Sequence, residues 1–225
     1  MAASNTALQA VPSPIFDGDE VSYDAVRNTI RTGDLLLFRG TALFSKTIRL
    51  VTNSEYSHAG FAVWWDTRLL CFQAVEERGV EVVPLSSAVG TYDGRVDLFR
   101  LKEEAMARVN TEKLITNGIE MLGRKYAKSS LVRLAWRIIT GKLRGHRDDK
   151  AAPAEAFCSQ YVSYCYRMSG LDLVPDIDDG STSPGDIAKS DFLNLQAVLR
   201  DDPITRARRQ ATQQALPGKP RTKPV

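Results

Sequence analysis

Nucleophilic and proton-transfer chemistry in this chain centres on a few residues: Cys71, Cys158 and Cys165, with His58 and His146. A thiol is a nucleophile when ionised, and an adjacent imidazole can take its proton and return it to a leaving group. Cys158 opens an amphipathic stretch from about 156 to 169, in which Phe157, Tyr161, Tyr164, Cys165 and Met168 form an apolar stripe and Gly170 is the stop. Near a helix start, unpaired N–H groups and the dipole favour a thiolate. Cys165 lies on the stripe and Cys71 inside a predicted strand, so both read as small buried hydrophobes. His58 stands at the mouth of an apolar strand in Tyr56-Ser57-His58-Ala59-Gly60, where the small following residues leave room for a substrate. His146, among Arg144, Arg147, Asp148 and Asp149, reads as a solvated loop residue. The expectation is that the fold brings Cys158 to His58.

A base of this kind needs a third group that accepts its other N–H. The strand after the histidine offers Gln73 and Glu76. Their odd separation puts them on opposite faces of a regular strand, so only one of the two can reach the imidazole.

The elements that must position these groups follow from periodicity. Residues 22–30 suggest a short helix capped by Ser22, and Thr32-Gly33-Asp34 a turn. Leu35-Leu36-Leu37-Phe38 is a continuous apolar run, short enough for a buried strand. Further strands are expected at 58–65, 69–75, 80–85 and 96–101, punctuated by Asp66-Thr67, Arg78-Gly79 and Tyr92-Asp93-Gly94. Five strands with short connections predict an antiparallel meander curled into a small barrel-like sheet. Helices are expected at 44–51, from Thr111 to the stop at Gly123, at 129–142 with Arg133 and Arg137 on one side, and at 186–199.

The chain of 225 residues suggests one domain: a flexible arm at 1–20, a folded unit at 21–202 and a disordered basic tail at 203–225. A net charge of +3 is too small to argue for nucleic acid, and no specific nucleic-acid partner is expected. The positive charge gathers in 124–147 and after Arg200, which suggests weak contact of the basic helix and tail with an anionic membrane surface or an acidic partner. Three cysteines without C-x-x-C spacing do not make a disulfide framework or a zinc site, and no cofactor is expected. Without a signal-peptide pattern or a membrane-length apolar run, the default compartment is the cytoplasm, with release by a non-classical route still compatible.

The order of motifs resembles a known pattern. Gly33-Asp34-Leu35-Leu36-Leu37-Phe38 is followed by Ser57-His58-Ala59-Gly60, by Phe72-Gln73-Ala74 leading into Gly79-Val80, and by Phe157-Cys158-Ser159-Gln160-Tyr161-Val162. This is similar to the circularly permuted branch of the NlpC/P60 papain-like superfamily, the YiiX-like and lecithin–retinol-acyltransferase-like proteins, in which the histidine precedes the cysteine. Gly123-Arg124-Lys125-Tyr126 and Ser183-Pro184-Gly185-Asp186-Ile187-Ala188 resemble its later segments, so the likeness spans roughly 32–199.

The resemblance implies an α+β permuted papain-like fold, with a curled antiparallel sheet packed against the cysteine helix. It also implies a nucleophile at Cys158, a base at His58 and a polar orienter at Gln73. Many YiiX-like members carry an acidic residue at that last place, so Gln73 departs from the pattern. The expected activity is a thiol-dependent hydrolase, an amidase or peptidase on peptide-like amides such as cell-wall peptides. The alternatives are a lipid acyltransferase or thioesterase on the same fold, or a non-catalytic module that binds a peptide or lipid. A further alternative makes the basic tail an anchor to nucleic acid or another acidic partner.

Overall fold

The computed structural model of the protein describes residues 20–40, 54–92, 94–127 and 152–200. The helices expected at 44–51 and 129–142, His146, the arm up to residue 19 and the tail from 203 lie outside the described residues. The element order begins with β1 (Glu20–Ser22), α1 (Tyr23–Val26) and a 3-10 turn (Arg27–Thr29). It continues with β2 (Leu35–Gly40), β3 (His58–Trp65), β4 (Arg68–Val75), β5 (Gly79–Pro84) and α2 (Leu85–Gly90). Next come β6 (Gly94–Leu101), α3 (Glu103–Met106), α4 (Thr111–Glu120) and α5 (Cys158–Met168). A 3-10 turn (Asp179–Ser181), α6 (Pro184–Ala188) and β7 (Leu193–Arg200) complete it. The architecture is α+β, as expected.

The strands form one open sheet in the order β1-β7-β6-β2-β3-β4-β5. The run from β2 to β5 is the expected antiparallel meander. After it the chain departs from expectation: β6 does not continue from β5 but returns to pair with β2 on the other side. The sheet therefore has edges at β1 and β5 and does not close into a barrel. Short connections alone do not reveal such a return, because α2 carries the chain back.

Both faces of the sheet are covered, which explains the uninterrupted apolar run of β2. Leu35 and Leu37 join Phe61, Phe72, Tyr161, Cys165 and Tyr166 in one core, beneath α4 and α5. Leu36 and Phe38 join Tyr23, Val26, Leu85, Val89 and Val96 in a second core, beneath α1 and α2. A strand buried on both faces loses the polar half of its alternation.

Local rules account for most of the remaining differences. The 22–30 helix is a single α turn followed by the 3-10 turn, and Ser22 makes no side-chain cap. The α4 cap is Asn110 rather than Thr111, its side chain accepting from the Lys113 N–H. The cysteine helix starts at Cys158, with Phe157 as its cap residue.

The largest correction is at 186–199, which is not helical. Ser183 and Asp186 form a capping box with Pro184 at the first position, so α6 starts early and stops at Ala188. The alternation of Leu193, Leu195, Ala197 and Leu199 then makes β7, which pairs antiparallel with β6 and parallel with β1. A bulge opposite Leu98 and Phe99 inserts Gln196, which blurs that alternation. Among the described residues, no helix is long and apolar enough to cross a membrane.

One glycine joins the sheet to the segment that approaches the cysteine helix. Gly79 has φ +74°, and a β-carbon there would strike the Arg124 carbonyl oxygen. Val80 exchanges backbone hydrogen bonds with this segment, its N–H donating to Arg124 O and its O accepting from Gly123 N–H. Gly79→Ala adds both left-handed strain and a backbone clash, and should lower unfolding stability by about 2–4 kcal/mol. In urea titrations the expected result is a lower midpoint with an unchanged slope.

Candidate active site

The two halves of the site are carried by α5 and β3, and aromatic packing holds these elements together. Phe61, three residues after His58, stacks on Phe72 at 5.2 Å and meets Tyr161 at 5.8 Å and Tyr166 at 5.9 Å between ring centroids. Tyr161 lies three residues after Cys158, so the same ring contact that fixes the helix on the strand fixes the thiol near the imidazole. Each such pair is worth about 0.5–1.5 kcal/mol beyond the area it buries. Gly118 of α4 lies against Phe72 and Tyr161, so closely that a β-carbon would come within 2.7 Å of the Phe72 ring.

The start of β3 is pinned independently. Tyr56 donates to the Asp97 carboxylate at 2.7 Å, and Arg39 donates to the same oxygen at 2.5 Å. Arg39 also bonds the Tyr56 hydroxyl at 3.0 Å, lies over its ring and pairs with Glu55 at 2.6 Å. Asp97 is fully buried, so this anchor is a charge-assisted network rather than a surface ion pair. Ser57 accepts from the Gly40 N–H at 3.2 Å and faces the Tyr92 hydroxyl at 3.3 Å. The Phe38 ring packs 4.8 Å from the His58 ring.

The structure brings Cys158 and His58 together, and places Gln73, one of the two open candidates, beside the imidazole. Cys158 is 2% exposed, and its sulfur accepts from the His58 ring and from the backbone N–H groups of Ala59 and Ser159. Burial pushes the Cys158 thiol up, but the imidazole and the two N–H groups outweigh it, leaving the thiol below its ordinary value. Burial pushes the His58 imidazole down, while its bonds to Cys158 and Gln73 and the Glu81 charge carry it above its ordinary value. His58 Nε2 lies 3.0 Å from Gln73 Oε1, which leaves Nδ1 as the nitrogen that faces the sulfur.

Gln73, not Glu76, reaches the imidazole. Gln73 stands opposite Gly60 in the β3–β4 register, while Glu76 lies beyond the end of β4, exposed. The small residue at Gly60 serves this approach rather than making room for substrate. A β-carbon there would come within 2.9 Å of Phe72 O, 3.1 Å of Cys71 Sγ and 3.4 Å of Gln73 Cβ. Cys71 and Cys165 are buried free thiols, and burial drives both well above the ordinary value.

Two groups escaped the sequence reading. Tyr126 places its hydroxyl against both the sulfur and the backbone N–H of Cys158; burial first, then the Cys158 charge and bond, push its phenol far up, so it stays a neutral donor. The Gly79–Arg124 approach described above delivers it there, a contact invisible in local spacing. Glu81 accepts from Gln73 Nε2 at 2.9 Å. Its signal was available, since Glu81 lies directly opposite Gln73 in the β4–β5 pair.

A scan of protein families finds no match to this chain, and a search of curated proteins finds none either. Among solved structures, the metalloprotein yiiX from Escherichia coli O157:H7 matches with a TM-score of 0.52 at 20% identity, covering 77% of this chain and 98% of that one. The fold is YiiX-like. At this identity the likeness is one of fold alone. That protein is described as a metalloprotein, whereas among the described residues here no group of three or more His, Cys, Asp or Glu side chains could hold a metal ion. One thiol, one imidazole, a phenol and an amide around Cys158 are a poor ligand set for zinc.

The three buried thiols make an internal comparison. Iodoacetamide should label Cys158 at a pH well below the ~8.5 of a free thiol, ahead of Cys71 and Cys165. His58→Ala should abolish that advantage. Peptide mass mapping across pH reads both outcomes, and equal labelling of all three thiols would count against the thiolate–imidazolium pair.

Proposed function

We propose that the protein is a thiol-dependent hydrolase, an amidase or peptidase, that works through a Cys158–His58 pair and an acyl-enzyme. The observation that carries this reading is selective: of three buried thiols, only Cys158 is furnished with an imidazole and backbone donors. The order of the histidine strand before the cysteine helix supports a permuted papain-like member of the NlpC/P60 superfamily, with peptide-like amides, cell-wall peptides among them, as substrates.

The chemistry balances with the groups present. The Cys158 thiolate attacks the amide carbonyl carbon, forming a C–S bond as the C=O pair moves onto oxygen. The oxyanion takes the Cys158 N–H and the Tyr126 O–H, donors that face one another in the free site. His58 Nδ1–H gives its proton to the departing nitrogen, and the C–N bond breaks. Water then attacks the thioester while His58 accepts its proton, and the thiolate leaves. Gln73 accepts from Nε2–H throughout.

Intact mass measurement during turnover of short peptide amides and cell-wall-type peptides tests the reading. A mass increase on Cys158, absent in Cys158→Ala, is the expected result. Tyr126→Phe should lower kcat by about ten- to a hundredfold with little change in KM, because its hydroxyl serves the oxyanion. Acylation by lipid esters but not by peptides would instead select the acyltransferase alternative. Failure of every acyl donor to modify Cys158 would leave a binding module.

A further inference from the structure

We propose that Glu81 is a positioning residue that selects the reactive tautomer of His58, acting through the amide of Gln73; the consequence for catalysis rests on the hydrolase reading above. A glutamine amide has nearly the same shape either way round, so its partners decide which end faces which neighbour. Gln73 stands between His58 Nε2 at 3.0 Å and Glu81 Oε1 at 2.9 Å. An ionised carboxylate only accepts, so Gln73 must turn its NH2 to Glu81 and its carbonyl oxygen to His58. That oxygen also only accepts, so Nε2 must carry the proton. The neutral ring then presents a bare Nδ1 to Cys158, the form that can take the thiol proton. With the amide reversed, Nε2 would be the acceptor, Nδ1 would carry the hydrogen, and the base would be lost.

The surroundings hold this arrangement in place. Arg78 bonds both Glu81 oxygens, Nε to Oε2 at 2.6 Å and Nη2 to Oε1 at 2.9 Å. Those bonds hold the Glu81 carboxyl below its ordinary value, so it stays an acceptor. Cys71 Sγ lies 3.9 Å from Gln73 Oε1, a weak donor aimed where an oxygen is required. Around His58 the other ionisable groups are Cys158 on α5 and Glu81 on β5; Tyr126 faces Cys158, and the Glu76 charge acts on Tyr126.

The test reads the histidine before it reads the chemistry. Nitrogen-15 shifts of the imidazoles, assigned with His58→Ala, are followed through pH in three proteins. The wild type should show neutral His58 protonated on Nε2. Glu81→Gln replaces an obligate acceptor by a near-isosteric amide that can present either end. It should show a second form protonated on Nδ1, and Cys158 labelling at about pH 6 should fall about tenfold. The double variant Gln73→Glu with Glu81→Gln, which moves the acceptor next to the ring, should recover both the Nε2–H form and the labelling. An unchanged tautomer in Glu81→Gln overturns the inference. So does a double variant that fails to recover, since that marks general disruption. A wild type with the expected tautomer but no acyl-enzyme would sink the hydrolase reading and leave this inference standing.

Discussion

A buried sulfur whose thiol is held below its ordinary value is the constraint on which the rest of the structure depends. Burial alone raises a thiol, as it does at Cys165 in one core and at Cys71 in the other. Cys158 is buried as deeply and shifts the other way. The difference is what points at the atom: an imidazole that can take up positive charge and two backbone N–H groups, from Ala59 and Ser159. The Ala59 donor belongs to β3 and the Ser159 donor to α5. The sulfur therefore sits at the junction of two elements, and its donors stay in place only while those elements keep their register.

That requirement explains how much packing surrounds so few reacting atoms. Phe61 locks α5 to β3 through Tyr161 and Tyr166. On the approach to His58, the Asp97–Arg39–Tyr56 network fixes the chain just before the histidine with charge-assisted bonds in a fully buried setting. Removing one member would strand a buried charge, which costs more than an apolar contact of the same size. The imidazole is thus held from below by its strand, from the side by Phe38 and from behind by Gln73.

The residues of the candidate site were more legible in the sequence than the path of the chain. Cys158 and His58 stood out because their local settings were unusual, and the strand periodicity placed β2 to β6 within a residue or two. The return of β6 to β2 was hidden, since topology depends on which edge a strand chooses and the sequence of β6 fits either. β7 was hidden because its bulge broke the alternation and Ser183-Pro184 announced a helix that runs for only a short way. Tyr126 escaped because its position depends on a distant backbone contact at Gly79. Glu81 was different: once Gln73 was placed on β4, strand pairing alone would have put a β5 residue opposite it.

Gln73 does not need to be an acid for the imidazole to be oriented. A carboxylate at position 73 would sit buried beside Cys71 and would rely on the adjacent His58 ring to offset its desolvation. Glu81 lies nearer the rim, with Arg78 mostly in solvent beside it, so the charge stays partly hydrated and paired. The amide between them passes on direction at full strength and charge at reduced strength. A neutral orienter so arranged supports the imidazolium less than a direct carboxylate would. The Cys158–His58 pair therefore depends more on the backbone N–H groups at the sulfur, and those come from the packing of helix on strand.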